Sequence, residues 1–169
     1  MSIAESMLAE FDSEMATTRR LLAIVPNEAA DWKPHEKSMS LGALAAHVGA
    51  IPFFVLSALQ STEFDTHPPG GQPTTEFPKW VNRDETLARY DKLVAAGRKA
   101  LASAKDEELM VPWSFKKAGV TRMTMPRIAV IRVLFLNHLI HHRGQLSVYL
   151  RLRDVPLPSI YGPTADSPM

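Results

Sequence analysis

The sequence predicts an all-α fold, an antiparallel four-helix bundle, on three observations. Four stretches carry apolar residues at the three-and-four spacing that places them on one helix face. The 13 prolines fall mostly between those stretches and near the C-terminus, so they punctuate helices and do not interrupt them. No internal repeat or low-complexity tract competes with that reading. Helices with one apolar face bury it best against one another, which makes a bundle the leading architecture. A chain of 169 residues and 18.8 kDa buries about 70% of its unfolded surface, enough for one core, so residues 1–169 are expected to form a single domain.

The first helix carries Met7, Leu8, Phe11, Met15, Leu21 and Leu22, and Pro26 ends it. Residues 27–39, with Trp32, Pro34 and His35, read as a loop or short turn. A second helix starts at Ser40, whose hydroxyl can accept from a free first-turn amide. Leu41, Leu44, Ala45, Val48 and Ile51 give it its period, and Pro52 should kink it before helix resumes through Phe53 to Leu59. Residues 61–80 hold Pro68, Pro69, Pro73 and Pro78 beside Gly70 and Gly71, a connection long enough to be functional. Asn82 with Glu85 forms a reciprocal capping pattern, and Leu87, Tyr90, Leu93, Val94, Gly97 and Leu101 carry the inward face of a third helix. In 111–124, Trp113 and Phe115 alternate with polar residues before Lys116-Lys117-Ala118-Gly119, which reads as an irregular connection or a small hairpin. The last helix is capped by Thr124, tolerates Pro126 in its first turn and runs to about Arg151, with Asp154 and Pro156 marking its end. Its first half is apolar on most faces, which implies burial among neighbours. The Pro-rich tail, 155–169, is expected to lie extended on the surface.

Composition excludes several function classes. Hydrophobic residues at 46% and charged residues at 22% are ordinary globular values, against a disordered or fibrous chain. The 19 Lys and Arg nearly cancel the 18 Asp and Glu, which gives no electrostatic case for a nucleic-acid or membrane-surface partner. Arg127, Arg132, Arg143, Arg151 and Arg153 spread over several faces of the last helix, so solvated or paired roles fit them better than a phosphate track. Cys is absent, which excludes disulfides, a Cys zinc site and a Cys nucleophile; a strong metal site must use His and carboxylates. The N-terminus shows no signal-peptide pattern. The most apolar stretch, 128–140, is interrupted by Arg132, Asn137 and His138 and is too short and polar to span a bilayer. A cytoplasmic protein is expected.

Chemistry points to histidine. His138 and His142 lie four apart on the last helix, which turns the chain about 40° beyond a full turn, so both rings leave one face. Two imidazoles so placed can share one metal ion at about 2.0–2.1 Å. The pair alone is not diagnostic, and Leu139 stands where a His-Glu-x-x-His metalloprotease carries its general base. The face follows Val133-Leu134-Phe135-Leu136 and points inward, and unpartnered buried imidazoles are costly, so these rings either hydrogen-bond elsewhere or hold a metal. His47, on the second helix among Ala46, Gly49 and Ala50, is the best third ligand; His35 and His67 lie in loops. His141 points about 100° away from His142, which suits a supporting role. Gln145 could orient a ligand or a bound water, or sit on the bundle surface. Gly144 suggests tight helix packing, and Trp32 and Tyr161 either line a site mouth or anchor loops.

The segment Asn137-His138-Leu139-Ile140-His141-His142-Arg143-Gly144-Gln145-Leu146 resembles the signature of the DinB-like (YfiT-like) metal-binding four-helix proteins. Asp31-Trp32-Lys33-Pro34 with Ser40-Leu41 and Leu44-Ala45-Ala46-His47-Val48 matches as well, as does the tail from Val155 to Pro163. The resemblance implies a divalent metal (zinc, nickel or iron) held by His47, His138 and His142. It also implies a small-molecule substrate, a metal-dependent S-transferase activating a low-molecular-weight thiol, and a homodimer. The alternatives are a metal-dependent hydrolase using metal-bound hydroxide and a non-enzymatic bundle whose metal is structural or sensory.

Overall fold

The computed structural model describes residues 2–73 and 78–167. Helix α1 (Ile3–Leu22) starts at Ser2, whose hydroxyl accepts from the Glu5 amide at 3.1 Å while the Glu5 carboxylate accepts from the Ser2 amide at 2.7 Å. That reciprocal cap satisfies two otherwise free amides. Met7, Phe11, Met15, Leu21 and Leu22 form its buried stripe, as their spacing requires. A 3₁₀ turn (Asn27–Ala29) leads to α2 (Leu41–Ala50), capped by Ser40 through the Ala43 amide at 3.2 Å. Pro52 ends that ladder and α3 (Phe53–Gln60) resumes directly after it, the expected proline break.

Leu41–Gln60, and not 128–140, is the stretch long and apolar enough to pass for a membrane span by composition, and 67% of its most apolar window is buried inside the fold. Its apolarity is accounted for by its neighbours: α2 packs against both α4 (Arg83–Ser103) and the last helix, α3 against α4. Asn82 caps α4 by accepting from the Glu85 amide at 2.8 Å. At Gly49 of α2 an added Cβ would lie 2.9 Å from Thr86 Cγ2 of α4, so the missing side chain permits that approach. Exposed pairs Arg19–Asp91 and Arg98–Asp12, each at 2.8 Å, join α1 to α4 and contribute little beyond orientation.

The expectation of a purely helical chain needs correcting. A three-stranded sheet in the order β1 (Glu63–Asp65), β2 (Pro112–Lys117), β3 (Val120–Pro126) lies beside the helices. The hairpin reading of 111–124 holds, with Trp113 opposite Met125 and Phe115 opposite Met123. The long connection adds β1 parallel to β2, Phe64 opposite Phe115, which local periodicity does not reveal. Ala118 (φ 54°) and Gly119 (φ 76°) make the turn, and Asp65 accepts from both amides at 3.0 and 2.7 Å, fixing β1 to the hairpin tip. Trp113 is fully buried and donates its indole N–H to Ser57 O at 3.1 Å. A short α5 (Asp106–Leu109) precedes the hairpin.

Thr124, expected as a helix cap, is instead in β3 opposite Ser114. The last helix begins at Arg127, directly after Pro126, and is continuous through three windings: α6 (Arg127–Val130), a π-helical segment (Ile131–Asn137) and α7 (His138–Leu152). Val133 in the π segment is 45% exposed while Ile131, Phe135 and Leu136 are buried, so the apolar-all-round first half is not buried all round.

The tail also departs from expectation. Val155, Leu157 and Ile160 pack against the core, because the chain after Leu152 turns back and does not run out along the surface. It is held by a polar network whose inner end, Arg143 with Glu14 and Thr18, is buried and whose outer end, Tyr161, is exposed. Arg143, 1% exposed, pairs with Glu14 of α1 at 2.6 Å and donates to Thr18 Oγ1 at 3.2 Å and to the Tyr161 hydroxyl. Tyr161 in turn donates to the Glu14 carboxylate at 2.9 Å. Asp166 pairs with Arg151 and accepts from the Leu157 amide at 2.9 Å. Removing one partner of a buried pair leaves a charge without compensation. Arg143→Met should therefore cost about 3–5 kcal/mol in urea unfolding, and Glu14→Leu with Arg143→Met should recover much of it. A loss below about 1 kcal/mol for the single variant would show that Glu14 finds solvent or another partner.

Candidate metal centre

α2 and α7 lie against each other, and the site is where they meet. His47 projects from the last turn of α2; His138 and His142 project from the first two turns of α7. Their ring centroids are 5.0 Å apart for His47 and His138, 4.6 Å for His47 and His142, and 4.7 Å for His138 and His142. One ring nitrogen from each lies within 4.8 Å of the other two, and among the described residues this is the group of three or more His, Cys, Asp or Glu that could hold a metal ion. His47 Nε2 and His138 Nε2 are 3.2 Å apart. Two imidazole nitrogens on one tetrahedral zinc ion at about 2.1 Å would stand about 3.4 Å apart, so the spacing fits a shared cation without rearrangement.

The far side of two rings is already oriented. His138 Nδ1 meets Leu134 O at 3.3 Å, and a carbonyl can only accept, so Nδ1 carries the proton and Nε2 is left as a donor atom for a metal. The same logic holds at His142, whose Nδ1 donates to Gln145 Oε1 at 2.7 Å. The His138 amide bonds to Phe135 O, at the end of the π segment, so its ring and not its own amide addresses the Leu134 carbonyl.

Electrostatics keep the rings neutral. Burial first, and then the neighbouring His142 and His138, which disfavour an adjacent positive charge, together push the His47 pKa down to about 4. Burial likewise lowers His138 and His142, against the raising effects of Leu134 O and Gln145. Neutral imidazoles are what a divalent metal requires, since the proton and the ion compete for the same lone pair.

The three rings form part of the wall of a cavity of about 760 Å³, within the size range of small-molecule sites. Met39, Phe54, Trp80, Phe115 and Leu134 supply its larger apolar side chains, drawn from the loop before α2, α3, the long connection, β2 and the π segment. Asp31 and Lys79 line it too, and both are exposed.

The residues singled out in the sequence separate clearly. His47, His138 and His142 come together. His141 is exposed and touches only the outer side of the cluster, its ring 4.8 Å from His142. His35 and His67 are exposed in loops, bonded locally to the Lys37 amide and to Thr66. Gln145 takes the orienting position, and in doing so remains exposed. Gly144 is a correction: nothing lies within 4 Å of a Cβ built there, so no helix packs on it. Trp32 and Tyr161 anchor loops and do not line the cavity. Trp32 packs edge-on to Tyr149 at 5.7 Å beneath Arg153, and Tyr161 reaches Glu14 and Arg143. Sequence reasoning missed Trp80, Phe54 and Phe115 as cavity walls; an aromatic in a Pro-rich connection or on a short strand carries no periodic signal, and Phe54, on α3, reads there only as a helix-face residue.

Residues 10–146 match the family model of the DinB superfamily, and the chain belongs to that superfamily. Its fold is similar to a DinB-like protein from Bacillus cereus, with a TM-score of 0.72 at 22% identity, covering 95% of this chain and 98% of that one. A DinB-like protein from Bacillus subtilis gives a TM-score of 0.62 at 17% identity over 88% and 92% of the two chains. At these identities the likeness is one of fold. No curated protein matches the sequence.

A metal ion held by the three rings would give a sharp mutational pattern. Untagged protein supplied with zinc should carry about one ion per chain by elemental analysis. His47→Ala, His138→Ala and His142→Ala should each abolish retention through dialysis, while His35→Ala and His67→Ala keep it. Gln145→Ala should weaken affinity about 10–100-fold without changing the stoichiometry. A His67→Ala variant as damaging as His142→Ala would show the assignment to be wrong.

The pKa of His47 also predicts a pH dependence. In the unfolded chain a histidine titrates near 6.5; folded His47 does so at about 4. Between those values the unfolded state binds a proton that the folded state refuses, so metal-free protein loses stability as pH falls from 6.5 towards 4. The midpoint of thermal unfolding should drop less over that interval in His47→Gln than in wild type; equal drops would contradict the assignment.

Proposed function

We propose that this member of the DinB superfamily holds one divalent ion on His47, His138 and His142 and uses it to activate a low-molecular-weight thiol for transfer to an electrophile. The observation that carries the reading is the opening of a three-His group onto a cavity of about 760 Å³. A bound zinc, nickel or iron(II) ion would supply Lewis-acid chemistry, lowering the pKa of a thiol or water so that it attacks near neutral pH.

The chain's own residues have distinct tasks in this scheme. Leu134 O and Gln145 hold the His138 and His142 rings with Nε2 facing inward. Phe54, Phe115 and Trp80 limit water around the reacting atoms, which strengthens every charge interaction there. In a transfer, the sulfur lone pair forms the new S–C bond, the leaving group departs with the electron pair of its own bond to carbon, and the thiol proton passes to solvent. The absence of Cys from the chain means that the sulfur comes from outside.

Two features weigh against the alternatives. A hydrolase gains from a general base beside the attacking water, and the carboxylate that lines the cavity among the described residues, Asp31, is exposed. A purely structural ion is usually closed off by a fourth protein ligand. Among the described residues the group contains three.

The test is a matrix of small thiols against alkyl and aryl electrophiles with zinc-, nickel- or iron-loaded protein. Conjugation that is lost on chelation and restored by the ion is the expected result, and it should be absent from His138→Ala. No chelator-sensitive conjugation with any thiol would move the assignment to a non-enzymatic metal protein.

A further inference from the structure

The walls of the cavity say more than its size. Beyond the three imidazoles they are mostly apolar, with Phe54, Trp80 and Phe115 the aromatic members, and the charged side chains among the described lining residues, Asp31 and Lys79, are both exposed. The Ser40 hydroxyl, another polar group there, already accepts from the Ala43 amide at 3.2 Å. A ligand with a sugar, carboxylate or peptide body would give up its hydration in this space and find few partners in return.

Two of the aromatic wall residues are backed by a third ring that does not itself line the cavity. Phe54 stands 6.1 Å from the His138 ring, and Phe64 lies behind the wall, 6.4 Å from Phe54 and 6.2 Å from Phe115. Trp80 contributes another wall and is held in place by what is missing beneath it. A Cβ built on Gly42 would be 2.7 Å from Trp80 Cγ and 3.0 Å from Ala30 Cβ. The indole therefore occupies the space that any other residue at position 42 would need, in the first turn of the helix that carries His47. Gly42, which no chemical motif marks, is the seat of a residue that shapes the site.

We propose that this cavity selects a substrate with an apolar, aromatic or branched-hydrocarbon body, and that Trp80, seated on Gly42, sets that selectivity. The placement of the reacting end against His47, His138 and His142 rests on the metal reading above; the preference for an apolar body rests on the walls alone. The volume accommodates a body well beyond the smallest thiols, and burying an aromatic ring there adds affinity roughly in proportion to the area removed from water.

The experiment titrates cobalt(II)-loaded protein with benzyl mercaptan and with 2-mercaptoethanol, following the thiolate-to-cobalt absorption. Benzyl mercaptan should bind at least about tenfold more tightly. Trp80→Ala and, independently, Gly42→Ala should shrink that ratio towards unity while cobalt stoichiometry stays the same. Affinities within about twofold of each other in wild type would overturn the proposal. Failure to take up cobalt would count against the metal reading and not against the walls. The walls are then decided by saturation-transfer NMR with benzyl methyl sulfide and 2-hydroxyethyl methyl sulfide on the same protein. Aryl contacts that vanish in Ala43→Phe, which fills the cavity, support the proposal; equal or absent signals from both sulfides overturn it.

Discussion

The fold is organised around one constraint: rings from two helices must reach a common point, so α2 and α7 have to approach closely and in fixed rotation. Side-chain reach sets the tolerance. His47 and His138 bring their Nε2 atoms to 3.2 Å, and a rotation of either helix by one residue would turn a ring about 100° away. Small residues on α2 let other elements cover it closely on its remaining sides: Gly49 admits α4 at Thr86, and Gly42 admits Trp80. Rotation of α7 is fixed by the residue after His142: Arg143, buried against Glu14 and Thr18 of α1, pins the helix one step around from that ring. The tail closes the same arrangement through Tyr161, which couples the C-terminal segment to the helix that carries two of the three rings.

The π segment, Ile131–Asn137, sits where that rotation is set. Winding with an extra residue per turn changes which side chains face inward before His138 is reached. Leu134 then serves the site twice, its side chain lining the cavity and its carbonyl meeting His138 Nδ1. Such irregular windings recur at functional sites because regular α-helix would direct the same side chains elsewhere. The three-stranded sheet has a comparable role on the other flank, where β2 presents Phe115 to the cavity and β1 backs it with Phe64.

Much of this was legible in the residues themselves. The helical stripes, the Ser40 and Asn82 caps and the Pro52 break are local signals, written in spacing and in side chains that bond their own backbone, and each is realised, except that the reciprocal Asn82–Glu85 pattern forms only in its Asn82 half. The His138 and His142 pair was visible for the same reason, being separated by one turn. Illegible features depend on partners far along the chain. Strand β1 exists only because β2, some fifty residues on, offers it an edge, and Thr124 is taken from helix capping by its pairing with Ser114. The tail looked extended because prolines dominate it; Arg143 and Glu14, more than 100 residues apart, draw it inward through Tyr161. Gly144 misled in the opposite direction, since a small residue signals close packing only if something arrives to pack.

The convergence of His47, His138 and His142 on one cation is the claim from which the rest follows. Crystals of the zinc-loaded protein, with anomalous diffraction data collected on both sides of the zinc absorption edge, test it most directly. A single strong anomalous peak bonded to one nitrogen from each of the three rings, with a remaining coordination position turned towards Phe54 and Trp80, is the result the account predicts. No peak there in fully loaded crystals, with His47 and His138 hydrogen-bonded to each other, or a peak on His35 or His67 instead, would contradict it.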